Sequence, residues 1–204
     1  MQMRSHSEVD VSAPNRWNGA MKPVSFFAMF SRILGMLLVV GLVSKVCAEA
    51  AEGARKLTDA ERTSLLAAAE AMQKGFENGD ADVIIQGTNK VITKIIPQEQ
   101  FEALTRQVMV SMKEFKFESN AYGDPTECWK IKDGELCFLP RKSVIAVQGK
   151  RVSSVAFFIC VLEGGKWTFL DNASVSKKPE MLWQLFPELS KDAKLLPSEV
   201  KVLE

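Results

Sequence analysis

The 204-residue chain is 47% hydrophobic and 25% charged, enough apolar material for one globular domain with a buried core. Its 26 basic and 25 acidic side chains are evenly mixed, which argues against nucleic acid as the main partner, because phosphate binding needs clustered Lys and Arg. The single histidine, His6, lies in a stretch read below as removed, and a chain without histidine has no Ser-His-Asp or Cys-His nucleophile, no His-ligated zinc and no imidazole acid or base.

The first twenty residues are polar and patternless. Ile33 to Val43, ILGMLLVVGLV, follows Lys22 and Arg32 and precedes Val46-Cys47-Ala48. Those are the charged, apolar and small-residue regions of a secretory signal, with cleavage after Ala48. An uncleaved anchor is the alternative, but this run is well short of the roughly 20 residues a spanning helix needs, and Arg32 blocks its extension backwards. Met21-Lys22 opens a more ordinary signal, so Met1 and Met21 are both candidate starts. Lys45, just before Cys47, speaks against a lipid anchor. The reading is an exported chain, periplasmic or secreted, that meets a membrane only through its signal. Residues 1–48 are the signal peptide, 49–57 a flexible leader and 58–204 a single domain. Removing 1–48 takes away five basic and two acidic side chains and leaves 21 against 23.

Thr58-Asp59-Ala60-Glu61 has the spacing of a capping box and starts a helix. Leu65, Ala68, Ala69, Met72 and Phe76 follow at helical spacing, and Asn78-Gly79 stops it. Asp80 caps a second, shorter helix, and its role with Asp82 is capping and dipole complementarity. Asn89 to Ile96 fits strand or helix and ends at Pro97. From Gln98 to Phe115 a third helix places Phe101, Leu104, Val108, Met112 and Phe115 on one face. The period then changes to two. Phe115, Phe117 and Ser119 alternate with polar neighbours in a first strand, closed by Gly123-Asp124-Pro125. Strands follow over Cys128–Ile131, Glu135–Leu139 and Lys142–Val147. A turn at Gln148-Gly149 leads to a hairpin from Arg151 to Asn172, joined at Gly164-Gly165. Pro179 to Phe186 forms a short C-terminal helix with Trp183 and Phe186 on its apolar side.

Connections this short leave no room for crossover helices. The fold class is therefore α+β: N-terminal helices packed on an antiparallel sheet of five to six strands. In the last hairpin Leu162 faces Trp167 and Cys160 faces Phe169, with Ala156 and Phe158 on that side and Val155, Phe157, Ile159 and Val161 on the other. Both faces are apolar, so helices cover one, and a partner subunit or the C-terminal segment covers the other.

Glu77-Asn78-Gly79-Asp80-Ala81-Asp82 at the first helix break and Gly165-Lys166-Trp167-Thr168-Phe169 in a late strand resemble the nuclear transport factor 2-like superfamily, which includes SnoaL-like and ketosteroid isomerase-like domains. The resemblance spans roughly Thr58 to Ser174. It implies a curved sheet wrapped around the helices as a cone, a pocket inside it, dimerisation through the outer sheet face, and Trp167, Phe169 and Asp171 turned inward. Where catalytic members carry histidine or paired acids, this chain has neither.

The residues expected to line a pocket are Trp167, Phe169, Asp171, Phe158 and Ala156, between the third helix and the hairpin. No catalytic set, metal site or cofactor is expected. Three functions remain open: an exported domain binding an apolar small molecule without turning it over, an interaction module using the outer sheet face, and an isomerase or lyase using Asp171 as base. Asp171 also fits a turn-forming role beside Asn172, and Arg141, Lys142, Lys150 and Arg151 fit a solvated hairpin end. Cys128 and Cys137 flank Asp133-Gly134 in a chain bound for an oxidising compartment, and a disulfide between them is expected. A four-residue loop sets them opposite each other, a two-residue Asp-Gly loop makes them diagonal, and a three-residue loop separates them across the sheet.

Overall fold

Capping chemistry fixes where the helices begin in the computed structural model, which describes residues 53–203 apart from 113 and 176. The signal-peptide reading over 1–48 lies outside the described residues. Helix α1 spans Asp59–Asn78; the Thr58 hydroxyl accepts from the Glu61 N–H while the Glu61 carboxylate accepts from the Thr58 N–H, so the capping box forms as read. Gly79 ends α1 in the left-handed conformation (φ 65°), which glycine enters without steric cost. Asp80 then caps α2, Ala81–Gly87, by accepting from the N–H groups of Asp82 and Val83. The ambiguous stretch after it is a 3₁₀ turn, Lys90–Lys94, started by Asn89. Helix α3 spans Gln98–Met112 and buries Thr105 and Met109 most deeply, so its inward line runs between the positions expected from the sequence. Phe101 packs on one side of the sheet and Val108 and Met112 on the other.

The sheet is antiparallel with six strands: β1 Lys116–Tyr122, β2 Trp129–Ile131, β3 Gly134–Val147, β4 Lys150–Glu163, β5 Lys166–Asp171 and β6 Glu199–Leu203. Its centre is the long β3–β4 hairpin, whose register runs unbroken from Glu135↔Leu162 to Val147↔Lys150. Each long strand carries two short ones along its outer edge, β1 and β2 on β3, β5 and β6 on β4. The alternation expected for β1 slips at a bulge between Phe117 and Ser119, which leaves Ser119 exposed and brings Asn120 and Tyr122 inward.

Two expected strands, Glu135–Leu139 and Lys142–Val147, are one. Pro140 does not break it. The Pro140 carbonyl accepts from the Gly123 N–H at 2.9 Å, so its missing donor falls on that same side, just where β1 ends. Strand β6 carries no expectation from the sequence, which places its residues only within the single domain 58–204. The C-terminal helix, α4, spans Glu180–Leu185, with Leu182 and Leu185 more deeply buried than Trp183.

The β4–β5 hairpin has the predicted register and faces. Leu162 opposes Trp167 and Cys160 opposes Phe169, with Gly164 and Gly165 at φ 57° and 78° in the turn. On one face Phe158, Cys160, Trp167 and Phe169 pack against Leu65, Ala69, Met72, Ile84 and Met109 of the helices. On the other, Phe157, Ile159 and Val161 are covered by Val175, Leu182, Leu185, Phe186 and Leu189, so the C-terminal segment supplies the cover left open from sequence. Arg55, within the stretch read as a flexible leader, is anchored: it exchanges backbone hydrogen bonds with Cys128, and its guanidinium bridges Glu61 of α1 and Glu135 of β3.

Candidate functional site

Four of the five expected pocket residues sit deep in the helix-facing core. Phe158 is 1% exposed, Phe169 2%, Trp167 5% and Ala156 7%. The Phe158 and Phe169 rings stack tilted at 57° with centroids 5.4 Å apart. The Trp167 indole N–H donates to the Ser64 hydroxyl of α1 at 3.0 Å, which satisfies its buried polar end and pins the helix to the sheet. These residues fill space and bind α1, α2 and α3 to β4 and β5. Two shallow depressions of the described surface lie elsewhere. One, of about 230 Å³, is lined by Ala121, Tyr122, Gly123, Pro140, Arg141, Lys142 and Val155; the other, of about 180 Å³, lies around Leu57, Arg62, Pro125 and Thr126.

Asp171, the fifth, stands at the end of β5 with both oxygens engaged. Oδ1 accepts from the Ala173 N–H at 2.9 Å and caps the 3₁₀ turn Asn172–Ser174; Oδ2 accepts from Arg141 at 2.6 Å. The turn-forming role weighed from sequence is present. Added to it is an ion pair whose arginine the sequence reading places wrongly. Arg141 is not part of a solvated hairpin end, because β3 runs straight through Pro140 and carries Cys137, Leu139 and Arg141 on its helix-facing side. Its side chain is 16% exposed and its guanidinium carbon lies 4.3 Å from the centre of the Phe158 ring. The period-two phase of Cys137 and Leu139 is the sequence signal that locates it.

Around Arg141 the sheet turns polar. Tyr122 opposes it on β1 and donates its hydroxyl to the Ala69 carbonyl at 3.0 Å. Burial raises the Tyr122 hydroxyl above its ordinary pKa, against the pull of the neighbouring Asn120 and Arg141. In the next row Asn120, Ser143 and Ser154 lie side by side. Arg141 Nε and Asn120 Oδ1 are both buried and unpartnered, one a donor and one an acceptor.

The cysteines form a line across the sheet. Cys128 spends both backbone groups on Arg55, at 2.9 and 2.7 Å, on the side away from β3. Toward β3 it stands one step beyond the Trp129↔Leu136 pair, with its thiol in contact with that of Cys137. The β2–β3 register, with Lys130 opposite Glu135, is the one that sets the two cysteines face to face; its loop closes as Lys132-Asp133 rather than Asp133-Gly134. Cys160 opposes Cys137 on the other flank. All three are buried thiols in this structure. Contact with Cys137 together with burial pushes the Cys128 thiol far up, and Cys160 and burial raise Cys137 despite the opposing pull of Cys128. Among the described residues no group of three His, Cys, Asp or Glu is arranged to hold a metal. No protein-family model, curated protein or solved structure matches this chain.

Proposed function

We propose that this chain is an exported, non-catalytic interaction domain that receives an apolar segment of another polypeptide on the outer face of its sheet. The observation that supports it most is packing: the interior residues expected to line a ligand pocket are closed against the helices, while an apolar depression of about 230 Å³ stays open on the outer face at Ala121, Pro140 and Val155. A carboxylate base has little support, because each Asp171 oxygen already accepts a hydrogen bond. The superfamily proposed is the nuclear transport factor 2-like one, with the sheet bent into a cone around the helices. Its support is the order of elements, the long central hairpin flanked by short strands, and the bulge in β1. Disulfide closure between Cys128 and Cys137 belongs to the same proposal, supported by their register.

A second reading, an exported small-ligand binder, draws on the unpartnered Arg141 Nε and Asn120 Oδ1. A ligand with an oxygen acceptor and a hydroxyl or amine donor answers both. A photo-crosslinking side chain at Ala121, compared with one at the exposed Glu163, separates the readings. A discrete protein adduct at 121 alone supports the interaction domain. No adduct at 121, with small hydroxy acids raising the melting temperature of the wild type but not of Arg141→Met, overturns it for the second.

A further inference from the structure

We propose that two copies of this chain pair antiparallel along the free edge of β6, about a twofold axis at Val200. The inference does not depend on the outer-face reading. It begins with the direction in which backbone groups point. Phe169 gives its carbonyl to the Asn89 N–H at 2.9 Å, away from β4, so Phe169 and Cys160 face each other without hydrogen bonds and Cys160 turns its own groups toward β3. Because the β3–β4 register has no break, even-numbered residues of β4 turn to β3 and odd-numbered ones turn the other way. Arg151, Ser153 and Val155 therefore bond to Leu203, Lys201 and Glu199 of β6. Val200 and Val202 are left with N–H and C=O on the outer edge. No strand among the described residues pairs with them.

The side chains mark the same place. Val200 is 53% and Val202 67% exposed, two of the three large apolar side chains that the described surface leaves open. Val202 ends a row, Phe117, Ile145, Val152, Val202, that runs straight across four strands. The other edges are interrupted: β1 carries its bulge, the chain entering β2 is bridged at Cys128 by Arg55, and β5 is bridged at Phe169 by Thr88. Strand β6 has neither bulge nor proline within Glu199–Leu203.

Charge selects a second copy as the occupant and sets the register. With Val200 opposite the partner's Val200, Glu199 meets the partner's Lys201 and Lys201 meets the partner's Glu199, at the close non-hydrogen-bonded spacing. Sliding the pairing so that Lys201 lies on the axis sets two lysines against each other, which is unfavourable. The sequence Glu199-Val200-Lys201 is complementary to itself only in antiparallel pairing about its centre.

Light scattering and sedimentation on the full chain over a concentration series test this. A dimer is expected. Lys201→Glu and Glu199→Lys should each weaken it by roughly tenfold or more, and the double swap should restore it. Val200→Pro removes a donor that β4 does not use, so it should yield a monomer with unchanged circular dichroism. Val200→Cys should form a disulfide-linked dimer on mild oxidation. A chain monomeric at every concentration overturns the proposal. So does a dimer indifferent to the charge reversals and to Val200→Pro, which would place the contact on another surface.

Discussion

Replacing Phe169 with alanine asks directly whether the interior is packed or hollow. The ring is 2% exposed, lies 5.4 Å from Phe158 and sits among Leu65, Ala69, Met72, Ile84 and Met109. A buried Phe→Ala change loses the transfer energy of the ring and leaves a cavity, together about 3–5 kcal/mol, of which the aromatic pair supplies about 0.5–1.5 kcal/mol. Against a total stability of about 5–15 kcal/mol that is a large share. Were the ring instead one wall of an open pocket, one side would already be wetted and the loss would fall to about 1.5 kcal/mol or less. Urea unfolding distinguishes the cases. With a slope of about 2 kcal/mol per molar, the closed core predicts a midpoint lower by about 1.5–2.5 M at unchanged slope. A fall under about 0.7 M would refute the closed interior and return Trp167, Phe158 and Phe169 to the lining of a pocket.

If the proposed bridge forms, thiol titration of denatured, unreduced protein isolated from its native source should find one reactive cysteine among Cys128, Cys137 and Cys160; three would sink it. The Arg55 guanidinium, with the Thr58 N–H, holds the Glu61 carboxyl down to about 2 from an ordinary 4.5. A depressed carboxyl stabilises the fold above about pH 4.5, and that contribution is lost as pH falls toward 2; Glu61→Gln should flatten this acid limb, and an unchanged limb in pH-dependent unfolding would contradict the pairing. A Cβ on Gly134 would lie 2.0 Å from the Leu162 carbonyl oxygen, a backbone atom that cannot step aside. Gly134→Ala should therefore cost about 1–3 kcal/mol and lower the melting temperature by several degrees, and a shift below about 1 °C would show that the hairpin yields.

Signals that act over a few residues were legible in the sequence. The Thr58–Glu61 box, the Gly79 stop, the Asp80 cap and the Gly164-Gly165 turn are each decided by whether a local donor finds an acceptor or a residue tolerates positive φ, and each forms as read. The two faces of β4 followed from strict alternation, since a period of two needs no knowledge of what lies opposite. The Cys128–Cys137 register lay among three alternatives, because loop length and pairing are coupled and the residues alone do not choose.

Tertiary structure decided whatever depends on neighbours distant in the chain. Pro140 reads as a strand breaker until the end of β1 is known to leave its donor side unpaired. Arg141 reads as one of a basic cluster until β3 is continuous; only then do Phe158 beneath it and Asp171 across two strands define its role. Strand β6 has five residues and little periodicity, and it exists because the odd-numbered backbone groups of β4 from Arg151 to Val155 need partners beyond the end of β5. Whether the aromatics enclose a void or fill it is likewise not a property of their identities. Phe158, Trp167 and Phe169 are suited to either, and the volume is settled by how closely α1, α2 and α3 approach, which depends on contacts such as the Trp167–Ser64 hydrogen bond between residues 103 apart in the chain.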